Sequence, residues 1–302
     1  MKRRNNLLIF FVLTFLLNCF SPNQRYETGR PVIRDTETEK RFFLTEEEQF
    51  ESGDKYWFID WPGHYLFSLP AKLYLLNWSF GNHDIDDKTK EIVKKYFKEN
   101  NIKDVKVRFN QYAPWDEFSR LRKNTKVSPW LRWTLGLINW TIKTIFPERL
   151  FAGLGVEVIG GGDYYDPYTN TVHIFSGSTP IALHEGGHAK DFSQTKDKSS
   201  YALLRLVPFA ALYQEAIATE DAVGYLRKEC LLKEERSAYR ELIPAYGTYM
   251  GGEMSGFVRE ADALSVQLGA LGVAHVYGHY KYFTFKESEV KSCNEKPKLS
   301  SK

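Results

Sequence analysis

The segment His184-Glu185-Gly186-Gly187-His188 limits this chain more than any other, because its two histidines act together only on an α-helix. Residues i and i+4 stack on one helix face, which brings both imidazoles within reach of a single tetrahedral Zn²⁺. Glu185 then stands beside the metal, placed to take a proton from water activated there. Ile181-Ala182-Leu183 ahead of the segment and Ala189 to Phe192 after it keep the register of a buried helix. Glycines inside a helix cost about 1 kcal/mol each relative to alanine. Gly186 and Gly187 therefore predict that another element packs very close to this one.

Two histidines do not complete a site. Tyr213 to Ala222 has the apolar periodicity of a second helix, and Glu215 sits on it among Ala211, Leu212, Ala216 and Ala218. An isolated carboxylate in such surroundings is expensive unless a cation or donor meets it, and two His with one Glu is a common zinc ligand set. Glu220 and Asp221 on the same helix, and Asp191 three residues after His188, are rival ligands. Asp221 and Asp191 would otherwise orient a metal-bound imidazole from outside, or be ordinary solvated charges.

His184-Glu185-x-x-His188 followed by Glu215-Ala216-x-Ala218 resembles the gluzincin metallopeptidases. The resemblance implies a zincin-like fold and one Zn²⁺ held by His184, His188 and Glu215, with Glu185 as the catalytic general base. Tyr165 to Phe192, Trp57 to Asn82 and Asn110 to Pro114 are also similar to a group of poorly characterised bacterial predicted metallopeptidases. That similarity implies one unit from about Trp57 to Tyr282 and carries no substrate with it. In zincin-type peptidases the strand before the metal helix is an edge that a substrate peptide extends; by resemblance Val172, His173, Ile174 and Phe175 take that part. Alternation along the strand turns His173 outward as a polar side chain. A gluzincin also needs a donor for the developing oxyanion, and Tyr246, Tyr249, His275 and His279 form the pool.

The fold expected is α+β: a small mixed sheet, with its edge substrate strand packed on the active-site helix, followed by a mostly helical C-terminal part. Asp166-Pro167-Tyr168-Thr169-Asn170 has turn chemistry, and Thr171 to Phe175 reads as a strand. Lys88 to Asn100 has helical and Val105 to Phe109 strand periodicity. Pro129 to Phe146 is an apolar helix carrying Trp130, Trp133 and Trp140, either a core or lid helix or one lying on a membrane. Arg120, Arg122, Lys123 and Lys126 precede it, as a solvated basic face or a contact for anionic headgroups. Glu234 to Leu242 is amphipathic, and Gly247, Gly251, Gly252 and Gly256 follow at small-residue spacing. Ala263 to Tyr280 runs without charge at the length of a membrane span; Gln267, His275 and His279 favour a buried helix packed through Gly269, Gly272 and Gly278 instead. Such glycine faces would also suit the close contact at Gly186 and Gly187.

The N-terminus predicts export. Lys2-Arg3-Arg4 precedes the short apolar run Leu7 to Leu17, as in a signal peptide. Leu16-Leu17-Asn18-Cys19 resembles a bacterial lipobox, which implies lipidation of Cys19 and attachment to a bacterial membrane on its periplasmic or surface side. Residues 1–18 are then the signal peptide, 19–55 a flexible tether, 56–286 the metallopeptidase domain and 287–302 a disordered tail. Cys230 and Cys293 lack metal-ligand spacing and are free to pair in an oxidising compartment. A formal charge of +3 is too small to suggest nucleic acid, and Gly160-Gly161-Gly162 lacks the Gly-Lys-Ser/Thr of a phosphate loop. The expected partners are a peptide or protein substrate and the membrane. A non-catalytic zinc lipoprotein, acting as an envelope chaperone or binding scaffold, is the alternative; an amide hydrolase of the cell wall is a third.

Overall fold

The computed structural model describes residues 42–151, 162–287, 290 and 293. The signal peptide, Cys19, the first part of the tether, Gly160, Gly161 and most of the 287–302 tail lie outside the described residues. The chain forms two compact units, Gly29–Ala210 and Ala211–Lys302. Its described residues are mostly helical, with one small mixed sheet ahead of a long helical C-terminal part.

The sheet has four strands, β1 (Phe50–Ser52), β2 (Lys106–Phe109), β3 (Tyr164–Asp166) and β4 (Thr171–Ile174), in the order β1-β2-β4-β3. β1, β2 and β4 run parallel and β3 returns antiparallel on β4. Because side chains alternate, the register sorts the two faces by chemistry. Phe50, Val107, Val172 and Tyr165 align across one face, whereas Glu51, Arg108, His173 and Tyr164 align across the other.

The apolar face carries α4 (Asp87–Glu99) and α9 (Thr179–Gln194). Phe50 meets Phe97 edge to face at 6.0 Å, and Tyr165 lies 5.6 Å from Phe192. Both helices start on side-chain caps, Asp86 accepting from the Thr89 amide and Ser178 from that of Ile181, which satisfies amides that the first turn leaves open. The Thr89 and Thr179 hydroxyls, 2.8 Å apart, join the two helices.

The close contact expected at Gly186 is there, but its partner is α4. A Cβ on Gly186 would stand 2.8 Å from Tyr96 Cε1 and 3.3 Å from Phe97 Cε2. Both rings are fully buried and have little room to yield. Gly186→Ala will therefore lose about 1–2 kcal/mol of stability in urea unfolding, because a 2.8 Å approach to buried rings puts the overpacking cost in the upper part of its usual range, about 2–3 kcal/mol, against a gain of roughly 1 kcal/mol in helix propensity. A variant as stable as the parent would contradict this packing.

Two sequence expectations need correction. Val172 to Phe175 is not an edge: β4 pairs with β2 on one side and β3 on the other, and the sheet edges are β1 and β3. Beyond the strand, the Phe175 amide donates to Asp163 and its carbonyl accepts from the His83 amide. The Asp166–Asn170 turn folds Tyr164–Asp166 back onto the flank that a substrate would have used. The tether is also shorter than residues 19–55, since Glu46–Gln49 forms a capped helical turn, α1, and Phe50–Ser52 joins the sheet.

Ahead of α4 lie α2 (Trp57–Pro62), a π-helical turn (Gly63–Phe67) and α3 (Leu69–Leu75). Between β2 and β3 come α5 (Pro114–Lys123), α6 (Pro129–Leu131), a second π turn (Arg132–Gly136), α7 (Leu137–Ile145) and α8 (Glu148–Phe151). α10 (Lys198–Leu204) follows α9.

The second unit contains α11 (Ala210–Lys228), α12 (Leu232–Ser255) and α13 (Glu260–Thr284). α12 and α13 form a hairpin through the glycines expected to pack closely. A Cβ on Gly247 would meet Ala274 Cβ at 2.4 Å, and one on Gly278 would meet the Tyr239 carbonyl at 2.6 Å. Gly252, Gly269 and Gly272 face open space instead. Glu235, fully buried, joins α11 to α12 by accepting from Arg227 and from the Tyr239 hydroxyl. Burial, and then the Glu235 carboxylate, push the Tyr239 phenol far up. Cys230 and Cys293 form a disulfide across 63 residues of chain. No helix among the described residues is long and apolar enough to cross a membrane.

Candidate metal centre

α9 carries the histidine pair one turn apart, as the spacing requires. The His184 and His188 rings are 4.7 Å apart between centroids and nearly perpendicular, so their edges rather than their faces converge. His188 is buried at 2 % exposure, Glu185 is buried beside it, and His184 is half-buried. The Tyr201 hydroxyl on α10 donates to the His188 carbonyl at 3.4 Å.

Glu215 lies in the second turn of α11 and is 1 % exposed, among the equally buried Gln214, Ala216, Ala218 and Thr219. One ligand atom each from His184, His188 and Glu215 fall within 4.8 Å of one another. Donors held about 2.0–2.2 Å from one tetrahedral ion stand about 3.3–3.6 Å apart, so the three side chains need only a small inward movement to share one. Among the described residues, this is the one group of three or more His, Cys, Asp or Glu side chains gathered closely enough to hold a metal ion. Two imidazoles and a carboxylate are a donor set that suits Zn²⁺, and the buried Glu215 is where a cation would offset the cost of desolvating a carboxylate.

The rivals do not join the group. Glu220 and Asp221 stand five and six residues beyond Glu215, off the i+3/i+4 face; Asp191 is about 4.5 Å further along α9 than His188. Asp221 is buried, whereas Glu220 and Asp191 are partly exposed. Of the oxyanion pool, Tyr246 is buried in α12, while Tyr249, His275 and His279 are partly exposed, and the His279 ring bonds the His275 carbonyl.

The polar sheet face holds a second cluster, which the sequence did not reveal. His173, expected to face solvent, is 5 % exposed and stacks on Tyr164 at 4.5 Å. Arg108 donates to Glu117 at 2.8 Å and to Glu51 at 2.6 Å, and His173 Nε2 lies 3.6 Å from Glu117. Lys143 pairs with Glu148 at 3.0 Å over the Tyr164 ring, and Asn139 donates to Asp166. Glu117, Lys143, Glu148, Tyr164, Asp166 and His173 line a cavity of about 30 Å³. Burial raises the Glu117 carboxyl, but His173, Arg108 and Arg120 outweigh it and hold the group well below the usual range. For Glu148 burial prevails over Lys143 and the carboxyl is raised. Alternation of Lys106 and Arg108 in β2 was the available signal; that α5, α7 and α8 cover this face was not legible. The cluster ties those helices to the sheet and contains no second convergence of metal ligands among the described residues.

No protein family, curated protein or solved structure matches the chain.

Proposed function

We propose that this chain is a zinc-dependent peptidase of zincin type, exported and held at a bacterial membrane by a lipid on Cys19. The observation that carries the reading is the approach of His184, His188 and Glu215 to within 4.8 Å, with Glu185 buried next to the first histidine. Zn²⁺, when bound, supplies Lewis acidity toward a peptide carbonyl and makes water more acidic. Glu185 is not a member of the ligand group and keeps its carboxylate for proton transfer. It accepts the proton of the attacking water and returns it to the leaving amine. Asp221 on α11 and Asp191 on α9 are the carboxylates that would steady the imidazoles. The Cys230–Cys293 bond supports the exported location, since such bonds persist in oxidising compartments. Pairing of substrate with Val172–Phe175 is not part of this reading, because β4 is interior.

A zinc-loaded full-length chain will cleave members of a peptide library, a chelator will stop cleavage, and added zinc will restore it. Zinc binding with no peptide cleaved would favour the non-catalytic chaperone or scaffold. Release of cell-wall fragments in place of peptide cleavage would favour the wall amide hydrolase.

A further inference from the structure

All seven tryptophans of the chain lie between Trp57 and Trp140, and six of them are exposed, with Trp57 at 80 % and Trp115 at 75 %. They belong to two stretches, α2 through Trp78 and α5 through Phe146, that share a border. Phe151 on α8 touches Phe67 at 4.8 Å and Phe146 at 5.9 Å. The Tyr112 hydroxyl bonds the Thr144 carbonyl, and Trp115 lies 6.1 Å from Trp140.

Within these stretches several charged side chains turn inward while large apolar ones turn outward. Asp60 is drawn in by Arg149 at 2.8 Å, and Lys72, 1 % exposed, donates to the His64 carbonyl. Arg132 is buried and donates to the Arg122 carbonyl, while Lys143 turns to Glu148. Trp57, Trp61, Leu66, Trp78, Trp130 and Ile145 meanwhile point outward, each more than half exposed. Exposed apolar patches of this extent mark interaction surfaces. Arg122 and Lys123 stand exposed at the start of the Trp130 segment.

We propose that this aromatic face docks on an anionic lipid bilayer, seated at the boundary between headgroups and acyl chains. Tryptophan, with an apolar ring and one N–H donor, favours that boundary. A charge-poor apolar centre with cations at its margin matches a bilayer of hydrocarbon under anionic headgroups. The chain from Cys19 to Phe42 extends at most about 80 Å, so a lipid on Cys19 keeps this face within reach of the membrane, a point that rests on the lipoprotein reading.

Intrinsic fluorescence tests this directly, because every tryptophan belongs to the unit in question. The chain carrying its lipid on Cys19 is bound to vesicles of phosphatidylcholine with about 30 mol % phosphatidylglycerol, with either brominated or plain acyl chains. Emission in the brominated vesicles will fall at least about twofold relative to the plain ones. A Trp57→Ser, Trp61→Ser, Trp130→Ser variant with unchanged helical circular dichroism will lose most of that difference. Equal emission in both vesicles, from chain that floats with them, would overturn the docking face while leaving the lipid anchor intact. Chain that fails to float with either would overturn both.

Discussion

Glu185→Gln will retain one zinc per chain and lower kcat on a cleavable peptide by about 10²–10⁴-fold, the usual contribution of a positioned general base. Glutamine matches the shape of the buried side chain and cannot accept a proton at neutral pH. Glu185 is outside the group formed by His184, His188 and Glu215, so metal content is expected to hold. The loss belongs in kcat more than KM, because the proton moves in the transition state and not on binding. Turnover at the parent rate would remove Glu185 from the mechanism, whereas loss of zinc would make it a ligand or a support for one.

His188→Ala is expected to weaken zinc binding by more than the 10–100-fold that removal of an outer partner typically costs, because a direct donor is lost. Metal binding to the folded chain adds to its stability, so zinc will raise the melting temperature of the parent and leave that of His188→Ala nearly unchanged. His279→Ala provides the control, since its ring bonds the backbone of its own helix and lies outside the metal group. Full zinc retention in His188→Ala would refute the ligand set.

What was legible in the sequence was local. The apolar register around His184 defines α9 within a single stretch of chain, and the gap of four residues orients both imidazoles. Glu215 stood out because its neighbours are small and apolar. Its separation from Asp191, Glu220 and Asp221 is a matter of tertiary distance, and the sequence left the choice open.

Errors arose where pairing partners were non-local. Period-two alternation marks Thr171–Ile174 as a strand but does not say what lies on either side, and β3 occupies the supposed edge. The same alternation places His173 opposite Val172 without revealing that α5 and its Glu117 cover the second face. Phe50–Ser52 falls inside the tether expected over residues 19–55; only its parallel pairing with Val107–Phe109 makes it a strand. Close packing at Gly186 was readable from the cost of a helical glycine, whereas its partner, α4, was not.

The proposed mechanism needs a single zinc shared by His184, His188 and Glu215, and elemental analysis of the chain beside its Glu215→Ala variant decides whether it is held there. The expected result is one zinc per chain in the parent and a large loss in the variant. A parent that takes up no zinc when purified without chelator and supplied with the metal would contradict a zinc site at His184, His188 and Glu215. Equal zinc in both would make Asp191, Glu220 or Asp221 the third ligand in place of Glu215.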